Sequence, residues 1–383
     1  MKRKVMFYIA AAAIALTSCT SEETVDLDDS GTISFRVAMG AGANSRGLET
    51  TTDNLNEFKV CAVVRGQADH YIEKQTFKKN TSGVSFTSTE TYRWPEDNIV
   101  DFYAYTYYPG KTGETDNNVD YTKFGINLSG EAASDDDHKG GDHKISFTPA
   151  TDITEQIDPV TAWAAGSEAT TSSGVTLNFT HILSQIQIKA VSSSHVYEFS
   201  VKGVRIKNAK SAGVTWSIGS QSWSGDLETP QEYSYKDFGK VHGLNENQVL
   251  TLGDKAQYLI TEADPAMLLP QKLTKWDYDA VKKGGTSDGA YISVLLRITM
   301  NNGAHVVFPD TKHVKYDEDG DGYAWANIPI DTEWKAGNRY VYTLDFSYGA
   351  GYDDGGERIL GDQILFTTSV SNWNDAEPVP VAM

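Results

Sequence analysis

Basic residues are in short supply: 33 Lys plus Arg stand against 52 Asp plus Glu in 383 residues, a formal net charge of −19. A phosphate backbone is held by clustered Lys and Arg, so nucleic acid is excluded as a partner. Cysteine is scarcer still, with only Cys19 and Cys61. Apolar runs of membrane-spanning length are missing too, since Val5–Leu16 falls short of the roughly 20 residues a spanning helix needs. Neither H-E-x-x-H nor G-x-x-x-x-G-K occurs, and the eight His residues are scattered singly, which leaves zinc-hydrolase and phosphate-loop chemistry without residues to rest on. No glycosidase pair can be picked from 52 acids without geometry. The expectation is a protein that is not an enzyme and carries no resident cofactor. What is present in quantity is apolar residue, 39% of the chain, enough for large cores and too much for a disordered polymer.

The N-terminus reads as an export signal over residues 1–18. Lys2, Arg3 and Lys4 supply the positive region, and Val5–Leu16 has the length of a signal-peptide core. Leu16-Thr17-Ser18-Cys19 resembles the bacterial lipoprotein box, in which the thiolate of the cysteine takes the lipid. The bland alternative is an ordinary secretory cleavage site that precedes a cysteine. Glu22 and Glu23, directly downstream, resemble the surface-export signal of lipoproteins in Bacteroidetes-type bacteria. Residues 19–30 are equally well described as a plain acidic tether. A lipid on Cys19 leaves Cys61 with no partner, so no internal disulfide is expected. Cys61 lies in Phe58-Lys59-Val60-Cys61-Ala62-Val63-Val64 and reads as a buried strand thiol, not a nucleophile.

Downstream, short runs of alternating apolar and polar residues recur between Gly, Asn, Asp and Ser, the period of half-buried antiparallel strands. The fold class expected is all-β. Helical spacing is confined to Lys272–Lys282, where Gly284-Gly285 would stop a helix. Gly110–Gly141 and Asp226–Asn247 read as irregular surface excursions. The small polar run Gly166–Gly174 places a domain join near Ser172, giving β-rich halves at 31–172 and 173–383, each of a size that suits a β-sandwich.

Several phrases, taken in order, resemble the fimbrillin family of Bacteroidales, the Mfa-like pilus subunits. They are Thr32-Ile33-Ser34-Phe35-Arg36-Val37 followed by Arg46-Gly47; Tyr92-Arg93-Trp94-Pro95 leading into Val100–Tyr105; Val175-Thr176-Leu177-Asn178-Phe179-Thr180-His181-Ile182-Leu183-Ser184; Leu269-Pro270-Gln271; and Trp334-Lys335-Ala336-Gly337-Asn338-Arg339-Tyr340-Val341-Tyr342-Thr343-Leu344. The resemblance implies two transthyretin-like β-sandwich domains in tandem and a cell-surface fimbrial subunit, anchored by lipid to the outer membrane as a precursor and supporting adhesion. It implies other fimbrial subunits and a trypsin-like maturation protease as partners. The same phrases also have purely structural readings. Tyr340, Tyr342 and Leu344 share one face and suit a core strand.

Two candidate sites follow. Ile33, Phe35 and Val37 line one face of a first strand that runs into the Gly-rich loop holding Arg46 and Gly47. In the resembled family a cut after such an Arg frees the first strand, and the emptied groove takes a strand from the next subunit. The alternative is an exposed Arg46 that is never cut. The second site is Asp317, Asp319 and Asp321, acids at alternate positions like the opening of a calcium loop. The twelfth position is Ile328, where an EF-hand needs Glu, so an exposed acidic turn explains the same residues. His181, with no second His or Cys at ligand spacing, reads as a satisfied buried histidine. Eight Trp and 20 Tyr keep a second function open, a non-polymerising surface lipoprotein that binds glycans or host ligands. Cys19→Ala is expected to abolish metabolic lipid labelling and to remove the protein from the membrane fraction.

Overall fold

The alternation is realised as strand almost throughout a computed structural model that describes residues 31–381 apart from 40–48, 68, 82–84, 110–118, 124–142, 172–173, 247, 302, 304, 311–320, 362 and 373–378. In the first half the strands are β1 (Phe35–Met39), β2 (Glu57–Val64), β3 (His70–Lys79), β4 (Phe86–Thr87), β5 (Val100–Tyr107), β6 (Lys144–Ser146), β7 (Pro159–Gly166) and β8 (Val175–His181). The second half begins with β9 (Ser184–Val191), β10 (Tyr197–Ser211), β11 (Val214–Ser217), β12 (Ser222–Gly225), β13 (Thr229–Ser234), β14 (Leu250–Thr251) and β15 (Gln257–Ile260). It continues with β16 (Ala266–Leu268), β17 (Tyr291–Met300), β18 (Val306–Phe308), β19 (Ala324–Pro329), β20 (Asn338–Asp345), β21 (Leu365–Asn372) and β22 (Val379–Val381). Two short helices, α1 (Phe238–Val241) and α2 (Tyr278–Lys282), complete the elements used below. The protein is all-β, and among the described residues no helix is long and apolar enough to cross a membrane.

Seven strands of the first half close on themselves in the order β1-β4-β3-β2-β5-β7-β8. The seam is β1, which pairs antiparallel with β4 at Phe35, opposite Phe86, and parallel with β8 along its whole length. Side chains pointing inward form one core that includes Phe35, Phe58, Val60, Ala62, Phe77, Phe102 and Phe179. Closure accounts for the run Val100–Tyr107, which is apolar on both faces: Val100, Phe102 and Ala104 fill the barrel, while Tyr103, Tyr105 and Tyr107 point the other way into a separate cluster. The join expected near residue 172 falls between β7 and β8, and β8 is itself a barrel strand.

In the second half two six-stranded sheets face each other. One runs β13-β10-β17-β18 with β14 and β19 attached, the other β15-β9-β20-β21-β22 with β16 on β9. Their inner faces meet in the largest core, where Phe199, Val201 and Ile292 from one sheet share a cluster with Ile186, Tyr340, Tyr342 and Leu344 from the other. Tyr340, Tyr342 and Leu344 therefore lie on the buried face, as their spacing required. A three-stranded sheet, β12-β11-β6, crosses between the halves, and the outward tyrosines of β5 pack with Trp216, Ile218, Met267 and Leu269 in a third cluster. This shared cluster leaves Gly31–Met383 as one compact unit.

Local departures from the sequence expectation have identifiable causes. The helix expected over Lys272–Lys282 starts only at Tyr278, because Lys272 and Lys275 are engaged in β-bridges to Glu333 and Ala290, and Asp277 caps the helix by accepting from Ala280 N–H. Asp226–Asn247 is not wholly irregular: β13 and α1 lie within it, and β13 pairs with the long strand β10 through backbone bonds that its polar side chains do not advertise. The turn from β10 into β11 needs Gly213, at φ +79°, where a Cβ would come within 2.2 Å of the Asp226 carbonyl oxygen. Phe199→Ala, in the middle of the largest core, is expected to cost about 3–5 kcal/mol in urea unfolding. Tyr348→Ala, at a side chain that is 63% exposed, should stay within about 0.5 kcal/mol.

Candidate functional site: the first strand and its anchorage

The first strand is held by its apolar face and by both backbone edges. Ile33 and Phe35 are buried, and Val37 and Met39 pack partly buried against the same core. The Phe35 ring meets Phe77 at 4.7 Å, Phe102 at 5.1 Å and Phe58 at 5.9 Å, each edge-on. Such aromatic pairs add about 0.5–1.5 kcal/mol each beyond the area they bury. Upstream of the strand, Ile33 N–H donates to the Tyr92 carbonyl at 2.8 Å and Trp94 N–H to the Gly31 carbonyl at 2.9 Å. The structure thus brings Ile33, Phe35 and Val37 together on one groove, lined by Phe58, Phe77, Phe102 and Phe179. Arg46 and Gly47 lie outside the described residues, as do Cys19, Asp317 and Asp319.

The described chain resumes at a buried polar lock. Thr50 N–H donates to Asp158 Oδ2 at 2.8 Å, Thr50 Oγ1 donates to the Asp158 carbonyl at 2.7 Å, and Tyr108 N–H donates to Thr50 Oγ1 at 2.8 Å. Asp158 is also 2.8 Å from His181 Nδ1. His181 is a satisfied buried histidine, as expected from its isolation in the sequence. Burial pushes the Asp158 carboxyl above its ordinary range, and His181 and the Thr50 N–H act in the opposite direction. Next to this group, buried Glu49 is paired with Arg339 and accepts from Gln185. The segment just after Arg46-Gly47 is therefore fastened to Tyr108 after β5, to Asp158 just before β7, and to β9 and β20 by contacts that do not involve β1.

The remaining sequence candidates are simpler. The Asp321 carboxylate is paired with Lys202 Nζ and accepts from Tyr323 N–H at 3.2 Å. Cys61 is fully buried, and burial pushes its thiol up, which suits a strand thiol and not a nucleophile. Gly285-Thr286-Ser287-Asp288-Gly289 has the spacing G-x-S-x-G, yet it joins α2 to β17 where a nucleophile elbow would join a strand to a helix. Ser287 Oγ there accepts from the Asp277 and Gly289 N–H groups as a loop fastener. The polar lock was invisible to sequence reasoning, because Thr50 and Asp158 are 108 residues apart and belong to no motif.

The first half is a closed β-barrel with β1 at its seam, and the second half is a β-sandwich. A model of the fimbrillin-like family matches residues 44–373, and the chain belongs to that family. It is therefore a member of a family of structural adhesion subunits and not an enzyme. Among solved structures, the chain is similar to a fimbrilin of Porphyromonas gingivalis W83, with 13% identity and a TM-score of 0.44 over 90% of this chain and 98% of the other. A candidate cell adhesion protein of Bacteroides ovatus gives 13% identity and a TM-score of 0.42 over 91% and 100%. A fimbrial assembly protein of Parabacteroides distasonis gives 10% and 0.38 over 92% and 100%. No curated protein matches. Membership rests on the family match.

Asp158→Ala removes the acceptor of the Thr50 N–H and the partner of His181, and is expected to cost about 3–5 kcal/mol in urea unfolding. Glu333→Gln, which breaks the exposed pair with Lys335, should change stability by less than about 1 kcal/mol in the same measurement.

Proposed function

We propose that the protein is the subunit of a surface fimbria, held by lipid on Cys19 as a precursor and assembled by strand exchange after a cut between Arg46 and Gly47. The observation that carries this reading is the position of β1. It is the seam of a closed barrel, it runs directly into residues 40–48, and the chain beyond them is anchored at Glu49 and Thr50 by a separate buried network. A cut between the two leaves both sides held. The freed strand can then leave when a competitor arrives, and its departure opens backbone edges on β4 and β8 together with the pocket filled by Phe35. A strand from another subunit would restore both. The two-domain organisation belongs to the same proposal, with the first domain running through β8 to His181 so that the barrel closes within it.

Arg46→Ala is expected to keep the fold and the lipid while blocking passage into high-molecular-weight polymer, and Arg36→Ala and Arg65→Ala should not block it. N-terminal sequencing of the polymer should begin at Gly47. A polymer, or a surface form, that begins at Cys19 would overturn strand removal and favour a non-polymerising adhesin.

A further inference from the structure

The outward face of the β2–β3 hairpin carries a feature that the strand-exchange reading does not use. Val60 stands opposite Gln75 and Ala62 opposite Ile72, so Cys61 faces two residues, Glu73 and Lys74, at a bulge. Lys74 has φ +49°, a left-handed conformation uncommon for a residue other than glycine. The bulge turns its N–H to the Cys61 sulfur, which accepts at 3.3 Å. At the start of β3, His70 stands opposite Val63, and its Nε2 lies 3.0 Å from Nε2 of His143, the residue before β6. The Tyr103 ring stacks on His143 with centroids 3.9 Å apart and planes 10° from parallel, which fixes the imidazole plane. One ligand atom from each of Cys61, His70 and His143 lies within 4.8 Å of the others; Cys61 and His143 are buried and His70 half-buried.

We propose that Cys61, His70 and His143 form a binding site for a divalent transition metal of the zinc type, which ties the β2–β3 hairpin to β6. The donor set is one sulfur and two imidazoles, the ligands zinc prefers, and contains no carboxylate of the kind calcium or magnesium requires. Tetrahedral zinc at ordinary bond lengths would hold two nitrogens about 3.4 Å apart, so the imidazoles need to part by only a few tenths of an ångström. On binding, a sulfur–metal bond forms and the thiol proton leaves to solvent. Each imidazole gives its Nε2 lone pair and carries its proton on Nδ1. The Lys74 N–H donates to the resulting thiolate, and water takes the fourth position. The ion would give this part of the fold a covalent-strength tie at Cys61, which is a free buried thiol. The hairpin belongs to the barrel, while β6 pairs with β11 of the other half, so the ion would fasten the two across their shared cluster.

The test is a titration of untagged, metal-free full-length chain with Co²⁺ followed by Zn²⁺. One Co²⁺ per chain should produce a thiolate-to-cobalt charge-transfer band that Zn²⁺ removes, and Zn²⁺ should raise the melting temperature by mass action, reversed by a chelator. Cys61→Ser should lose the band. His70→Gln, at the half-buried ligand, should keep the metal-free melting temperature and weaken Co²⁺ binding by more than about tenfold. Absence of the band in the unaltered chain, or a band and affinity unchanged in His70→Gln and His143→Gln, would overturn the site and leave the two histidines as a hydrogen-bonded pair.

Discussion

Phe35 sits among the edges of Phe58, Phe77 and Phe102, and closure of the first sheet depends on it. A sheet closed into a barrel has no free edges, which is the strongest protection a β protein has against unplanned pairing. Here closure is delegated to a strand of five residues at the N-terminal end of the described chain. The backbone of β1 meets β4 at one register position, Phe35 opposite Phe86, and β8 along its whole length, and its alternate side chains fill the barrel. The same strand therefore completes the core and covers backbone edges of its neighbours.

The polar lock around Asp158 holds the chain beyond residues 40–48 through contacts that do not involve β1. Thr50, Asp158 and His181 form a buried group in which a carboxylate, a backbone N–H, a hydroxyl and an imidazole satisfy each other, and Glu49 reaches Arg339 from the same segment. Buried polar groups of this kind are costly to leave half-paired, so they hold geometry firmly once complete. The chain on the far side of residues 40–48 is thus bound to the second half as well as to the barrel. The anchorage of that chain at Glu49 and Thr50 involves no residue of β1.

The tyrosine-rich outer face of β5 joins the halves. It is covered by Trp216, Ile218, Met267 and Leu269, and the β12-β11-β6 sheet crosses over it. At the C-terminal end, β22 lies at the edge of its sheet, where Pro380 stands opposite Ser369. An edge tolerates a residue that cannot donate, because one side of the strand has no ladder to support.

Local chemistry was legible from residue order. Alternation marked the strands, the spacing of Tyr340, Tyr342 and Leu344 marked a core face, and the apolar set Ile33, Phe35 and Val37 marked the first strand. Each of these depends on neighbours within a few residues, and a strand's two-residue period carries that information directly. The partners of those strands were not legible. Parallel pairing of β1 with β8 joins residues about 140 positions apart, and β13 pairs through its backbone, which most side chains permit. The same holds for the groups with chemical potential. His70 and His143 look solitary in the sequence, as do Thr50 and Asp158, and only the tertiary fold brings them within hydrogen-bonding distance. Periodicity is set by the geometry of one strand, whereas encounters between distant side chains are set by how closed sheets fill space against one another.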